Sequence, residues 1–330
     1  MKKKPSQANS QPVKKKHRWF DVLLSLVLVL SLAAGVWWNI EYNKTHYTVE
    51  FYQTSSKSLK HDVRVVFLSD LHLREYGKDN RDLTTEITNL APDLIILGGD
   101  FVIDEVAGYD KMVSLCEKLT KIAPVYGVLG NHEDVKIFIQ KDEELVNRFE
   151  QAGVKLLRNS AEQITLYNST ISIAGVEGKP EDFANYGAKD FVEEFVKTDK
   201  SDYRIFVAHV PTYFSKVLTD YKFDLGLAGH VHGGIVRLPK VGGLYSSEEG
   251  FLPEYSGGEY TLKNKAKLIV SRGLGDSRSP MYFIAAGLCL AVVNEKEYIL
   301  VTLGAPGNHA TEQTNIMDAV QVYRRLEKKK

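Results

Sequence analysis

Cysteine is almost missing from this chain: Cys116 and Cys289 are the only two in 330 residues. Two thiols cannot build a disulfide framework. Each lies in an apolar run and reads as a small buried side chain. An excess of positive charge is missing as well. Lys and Arg number 42 against 42 Asp and Glu, and seven of the basic residues (Lys2, Lys3, Lys4, Lys14, Lys15, Lys16 and Arg18) fall in the first 18 positions, leaving 35 basic against 42 acidic in the body. That mildly acidic body lacks the broad cationic surface a nucleic-acid backbone requires, so no nucleic-acid partner is expected. The phosphate-cradling G-x-x-x-x-G-K-[ST] pattern and the G-x-S-x-G nucleophile elbow are both absent, which leaves P-loop nucleotide hydrolysis and serine-hydrolase chemistry without support. Gly242–Gly243 and Gly257–Gly258 read as turns.

What is present begins with apolar content of 44%, enough for a substantial core. At the N-terminus, Trp19–Ile40 is almost free of charge apart from Asp21, and 17 uncharged residues run from Val22 to Trp38. This is close to the roughly 20 residues that cross about 30 Å of hydrocarbon as a helix. Trp19, Trp37 and Trp38 stand where interfacial rings are expected, and the basic tail upstream predicts a cytoplasmic N-terminus with the body outside. The expectation is a single-pass membrane anchor at 19–40, a basic tail at 1–18 and a connector at 41–62. A cleaved signal peptide is the alternative, although Leu32–Val36 is a poor small-x-small cleavage site.

Beyond the connector, which holds a candidate edge strand at Tyr47–Tyr52, short β-rich runs alternate with helical patterns. Val63–Leu68, Leu94–Leu97 and Pro124–Leu129 read as strands, and Arg81–Leu90, Tyr109–Leu119 and Asp142–Gln151 as helices, which is the βαβ signature. Val154–Leu157, Gln163–Tyr167 and Thr170–Val176 predict an antiparallel or mixed region. A helix at Asp190–Thr198 follows, then strands at Tyr203–Ala208, Phe223–Ala228, Lys267–Ser271, Gly287–Val293 and Tyr298–Val301. The sum is an α/β fold of two packed sheets with helices outside. Thr311–Lys330 reads as a C-terminal helix or tail.

Five of these strands end in residues suited to hold metal: Asp70–Leu71–His72, Gly99–Asp100, Gly130–Asn131–His132, Ala208–His209 and Gly229–His230–Val231–His232. The carboxyl ends of parallel strands form the natural ligand crevice of an open α/β sheet, so residues over 160 positions apart can meet there. Asp, Asn and His without cysteine point to Mn²⁺, Fe²⁺ or Zn²⁺. Glycines beside these residues permit tight turns and close backbone approach.

The ordered set DLH, GGD, GNHE, HVP and GHVHGG resembles the calcineurin-like metallophosphoesterase superfamily over residues 63–304. Within it, the chain is similar to the membrane-anchored bacterial branch of YkuE-type phosphoesterases and UDP-diacylglucosamine pyrophosphohydrolases. The resemblance implies a four-layer αββα sandwich of two mixed sheets and two divalent metal ions (Mn, Zn or Fe). Asp70, His72 and His232 would hold one ion, Asn131, His209 and His230 the other, and Asp100 would bridge them. His132 would contact the phosphoryl group. The implied reaction is in-line attack on phosphorus by a metal-bridging hydroxide in a phosphoester or pyrophosphate. The expected partner is a phosphate-containing small molecule or lipid at the outer membrane face, with no obligate protein partner. A non-catalytic binding module on the same fold is the rival reading. Past Gly275 the sequence departs from the branch, with Arg278 displaced and no acid after Pro280. Arg74 is a candidate phosphate contact or a solvated arginine. Tyr245, Phe251, Leu252, Tyr255 and Tyr260 form either a rim for a lipid-linked substrate or ordinary hairpin packing.

Overall fold

A computed structural model of the chain describes residues 18–43, 46–184, 187–234, 236–238, 242–246, 249–275 and the backbone of 297–304. The strands are β1 (Thr48–Ser55), β2 (Val63–Leu68), β3 (Leu94–Leu97), β4 (Val125–Gly127), β5 (Lys155–Leu156), β6 (Ser160–Leu166), β7 (Ser169–Val176), β8 (Tyr203–Ala208), β9 (Leu225–Ala228), β10 (Val236–Leu238), β11 (Gly242–Ser246), β12 (Gly250–Phe251), β13 (Gly258–Thr261), β14 (Lys267–Val270) and β15 (Glu297–Gly304). The α-helices are α1 (Arg18–Asn43), α2 (Arg81–Leu90), α3 (Asp110–Leu119), α4 (Asn131–Asp134), α5 (Glu144–Gln151), α6 (Ala188–Thr198) and α7 (Thr212–Lys216).

Two six-stranded sheets form the centre, in the orders β1-β15-β2-β3-β4-β5 and β13-β14-β9-β8-β7-β6. Both are mixed. β2 through β5 run parallel while β15 pairs antiparallel with β2, and β7, β8, β9 and β14 run parallel between antiparallel β6 and β13. The central strands are buried on both faces, which explains why VVFL in β2, after Arg64, and LIIL in β3 are continuous apolar runs rather than alternating ones.

Three apolar layers hold the sandwich together. Between the sheets lie Val63, Val65, Phe67, Leu94, Ile96, Ile173, Ile205, Leu227 and their neighbours. A second layer packs the first sheet against α2, α3 and α5. The helices contribute residues at helical spacing, as with Leu83, Ile87 and Leu90 or Leu145 and Phe149. The third packs the other sheet against α6 and α7 through Val192, Phe206, Tyr213 and Phe214. The αββα arrangement is thus the expected one.

One expectation fails here. Among the described residues no helix is long and apolar enough to cross a membrane. α1 does form over Arg18–Asn43, with the Ser25 hydroxyl donating to the Asp21 carbonyl at 2.8 Å. The transmembrane anchor, the membrane as a partner, and the cytoplasmic-tail, outer-face placement at a cell membrane are withdrawn. So are the attributes membrane, transmembrane helix and signal-anchor.

Smaller differences concern loops. Gly242–Gly243 opens β11 rather than making a turn, because a Cβ on Gly234 would meet the Gly243 Cα at 2.7 Å, and only glycines allow the two segments to approach so closely. Gly258 begins β13. Gly287–Val293, Thr311–Lys330, Arg278 and Cys289 lie outside the described residues.

Phe67 is fully buried in the layer between the sheets and its strand carries Asp70. Phe67→Ala should cost about 3–5 kcal/mol in urea unfolding; a loss below about 1 kcal/mol would contradict this packing.

Candidate metal centre

Five strands bring their carboxyl ends to one edge of the sandwich, β2, β3 and β4 from one sheet and β8 and β9 from the other. At each end the chain turns sharply. Asp70, His72, Asp100, His230 and His232 all adopt left-handed backbone conformations, with φ between 48° and 72°. Such conformations are uncommon outside glycine and concentrate at functional sites, where the surrounding structure must hold them. Here the holding is done by backbone bonds between neighbouring loops. The Asp70 N–H donates to the Gly99 carbonyl at 2.9 Å, the His72 N–H to the Asp100 carbonyl at 3.0 Å, and the Gly229 N–H to the His209 carbonyl at 2.9 Å.

The result is two donor groups that meet. Asp70, His72 and His232 form one, and Asp100, His209 and His230 the other, with each group's donor atoms within 4.8 Å of one another. His72 Nε2 lies 3.1 Å from His232 Nε2, and His232 Nε2 lies 3.5 Å from Asp70 Oδ1. His209 Nε2 lies 3.1 Å from Asp100 Oδ2 and 3.2 Å from His230 Nδ1. Asp100 Oδ2 is also 4.0 Å from His72 Nε2, so the same carboxylate faces both groups. Spacings of this size suit donors that share an ion through bonds of about 2.0–2.2 Å.

Two further features fit divalent ions. Asn131 Oδ1 is buried with no hydrogen-bond partner, although buried amide oxygens are normally satisfied. His209 Nδ1–H donates to the Gly98 carbonyl at 2.7 Å, which fixes the tautomer and turns Nε2 toward Asp100. In the first group the protonation states point the same way. Burial, reinforced by the charge of His232, lowers His72 to about 4, and burial lowers His232 as well, so both are neutral and able to donate a lone pair. Burial opposes charge on His209 and Asp100 too, but there the mutual ion pair wins. Asp100 is held below the carboxylate range and His209 above the usual imidazole value.

His132 sits beside both groups. Its ring stands edge-on to His72 at 4.9 Å, and its backbone N–H donates to Asp100 Oδ1 at 2.9 Å. On its far side Nδ1 pairs with the Asp104 carboxylate. Asp104 was not singled out from the sequence, and nothing in the spacing of Asp100–Phe101–Val102–Ile103–Asp104 marks it.

Two other supporting residues also emerge only with the fold. The Ser69 hydroxyl donates to Asp70 Oδ2. Glu133, buried, accepts from the N–H groups of Asp100, Phe101, Val102 and Gly130 at 2.7–3.0 Å, and so ties the β3 loop to the β4 loop. Burial and the Asp100 charge push its carboxyl up to about 7, against the pull of these amides. Glu133 is the third residue of the helix that starts at Asn131, and its carboxylate reaches back to the Gly130 N–H.

The aromatic stretch divides. Tyr255 is buried, and the Tyr260 hydroxyl accepts from the Ser256 N–H, so both belong to local packing. Phe251 and Leu252 are 84% and 65% exposed, with Tyr245 edge-on to Phe251 at 5.2 Å. Arg74 is half-buried on the loop after His72.

The glycines here are steric requirements. A Cβ on Gly229 would lie 1.8 Å from Ser69 Oγ and 2.3 Å from Asp70 Oδ2. Gly229→Ala should weaken divalent-ion binding by about tenfold or more while secondary structure persists. Chelator competition followed by circular dichroism tests this, and unchanged affinity would contradict it.

Asp134 supplies a pH-dependent prediction. Burial first, then the Glu177 charge, raises its carboxyl from 3.8 to about 6. A carboxyl raised on folding binds more protons in the native state, so stability falls as pH rises from about 4 to 6 and stays reduced above that. Asp134→Asn should therefore stabilise the chelated protein by about 1–2 kcal/mol at pH 8 and by almost nothing at pH 4. Urea unfolding at the two pH values decides; an equal effect at both would contradict it.

The sequence model of the calcineurin-like phosphoesterase family matches residues 63–234, just over half of the chain. The chain is 27% identical to the YpbG protein of Bacillus subtilis, over 79% of this chain and 88% of that one. It is 27% identical to the phosphodiesterase YaeI of Escherichia coli, over 56% and 66%. With the UDP-2,3-diacylglucosamine pyrophosphatase LpxG of Chlamydia trachomatis it shares 25% identity over 81% and 95%. Among solved structures, TT1561 of Thermus thermophilus superposes with a TM-score of 0.43 at 12% identity, covering 64% of this chain and 90% of that one. These relatives spread over several branches and favour none. With its paired donor clusters forming a binuclear divalent-metal site, the chain belongs to the calcineurin-like phosphoesterase family and is a metal-dependent hydrolase.

Proposed function

We propose that the protein hydrolyses a phosphodiester or pyrophosphate bond, with Asp70, His72 and His232 on one ion, Asn131, His209 and His230 on the other, and Asp100 shared. The observation that carries this reading is the meeting of two donor groups at one carboxylate, together with the orphaned buried oxygen of Asn131 at the end of β4. When bound, two divalent ions supply Lewis-acid polarisation of phosphoryl oxygens and activation of water.

The chain's own groups prepare the site for that chemistry. Ser69 and the His230 N–H fix the Asp70 carboxylate, the latter at 3.0 Å. Glu133 and the His132 N–H fix Asp100. With Asp104 engaged at Nδ1, the free ring nitrogen of His132, Nε2, is the one available to a leaving-group oxygen, as expected for a phosphoryl contact. The choice of diester and pyrophosphate over monoester is supported by the activities named for YaeI and LpxG. The exposed Phe251 and Leu252 offer an apolar surface for the organic part of such a substrate.

The test is hydrolysis of bis-aryl phosphate, aryl monophosphate and a nucleotide-sugar pyrophosphate by the full chain with Mn²⁺, Zn²⁺ or Fe²⁺. Asp100→Asn should cost more than the roughly 10–100-fold typical of an outer-shell loss. His132→Ala should lower kcat by about 10²–10⁴-fold with ion binding retained. A metal-loaded protein that cleaves none of these substrates would instead be a binding module.

A further inference from the structure

We propose that Glu50 and Arg272 form a positioning pair for the His232 corner of the metal centre, which makes the first strand part of the catalytic unit. Neither residue lies in the family-matched region 63–234. The inference rests on the two-ion reading above.

Topology brings the pair to the site. β1 runs parallel to β15, and β15 antiparallel to β2, so β1 begins at the end of the sandwich where β2 delivers Asp70. Along β1, residues two apart share a face. Val49 and Phe51 pack on the helix side. Glu50, Tyr52 and Thr54 face the opposite sheet: Tyr52 joins the layer between the sheets, and Thr54 Oγ1 lies 3.4 Å from the Tyr203 hydroxyl of β8. The Tyr52 hydroxyl donates to one Glu50 oxygen, leaving the other for a partner across the gap.

That partner is Arg272, just past β14. It is 6% exposed, and its Nη2 donates to Glu50 Oε1. The arginine stem lies against Gly233, where an added Cβ would sit 3.2 Å from both Cγ and Cδ. Gly233 directly follows His232. The residue after the arginine, Gly273, backs the same corner: its added Cβ would fall 2.8 Å from Asp70 Cβ and 3.2 Å from His232 Nδ1. The Leu274 and Gly275 N–H groups then donate to the Ser69 and Asp70 carbonyls at 3.1 and 2.5 Å. Arg272 therefore underlies the turn that presents His232, in a segment already strapped to Asp70.

Removing the Glu50 carboxylate leaves a buried guanidinium whose charge Glu50 no longer balances, and that charge is drawn toward water. Loss of Glu50 would draw Arg272 outward, take its stem from beneath Gly233 and loosen His232. Asn131 and His209 lie on other loops, and His230, on the same loop as His232, keeps its own N–H bond to the Asp70 carboxylate at 3.0 Å. The effect should be confined to one of the two ions.

The experiment is calorimetric Mn²⁺ titration of the full chain and of Glu50→Gln, with His imidazole NMR signals recorded on the metal-free proteins. Wild type should bind two ions. In Glu50→Gln one should weaken by about 10–100-fold and the other by no more than about threefold, with the His232 signal shifted and the metal-free protein still folded. If Glu50→Gln does not fold, Arg272→Lys, which keeps stem and charge but not the fork, should show the same one-site weakening to a smaller degree. Two wild-type ions that bind the variants unchanged, or weaken equally, would overturn the pair while leaving the metal centre standing. A wild type that binds fewer than two ions would overturn both.

Discussion

The sharing of Asp100 is the constraint from which the rest of the site follows. Two groups of donors, each drawn from both sheets, can serve one reaction only if a single carboxylate faces both, and that requires the β3 loop to reach across the sandwich. Its approach is enforced at close range. A Cβ on Gly99 would collide with the Gly130 N at 2.7 Å and with His209 Nδ1 at 2.8 Å, so the loop can close only with glycine there. His209 then bonds the Gly98 carbonyl, and Glu133 gathers the amides around Asp100. The left-handed turns at five donor residues are the conformational cost of aiming short side chains into one crevice, and these inter-loop bonds offset it.

Around this carboxylate the support is layered in the way metal sites require. Donors whose second atom is fixed by a backbone carbonyl, a hydroxyl or a backbone amide hold their orientation without help from the ion. Asp70 is fixed by Ser69 and by the His230 amide, Asp100 by the His132 amide, and His209 by Gly98. The site is largely preorganised, which is where a hydrolase working by electrostatic stabilisation gains most.

How much of this could be read from the sequence depended on whether its signal was local. β2, β3, β8 and β9 were legible because an apolar run, a turn residue and a donor follow one another within about ten positions. The donors themselves and the layered α/β fold fall in this class. Asp104 carried no signal, since its value comes from facing His132 across 28 residues. Glu50 and Arg272, separated by 222 residues, had none either. β10 to β12 were missed because their short, glycine-rich segments have no alternation to detect, and their order depends on Gly234 and Gly243 touching. The N-terminal run illustrates the opposite error: its composition suggested a membrane span, yet no helix among the described residues is long and apolar enough for one.

The central claim is that one carboxylate joins two ions, and magnetic coupling reads this most directly. Electron paramagnetic resonance of the full chain loaded with two equivalents of Mn²⁺ should give the multiline spectrum of an exchange-coupled pair, and Asp100→Asn should replace it with isolated-ion signals. A wild-type spectrum of uncoupled, mononuclear Mn²⁺ at two bound equivalents would contradict the account.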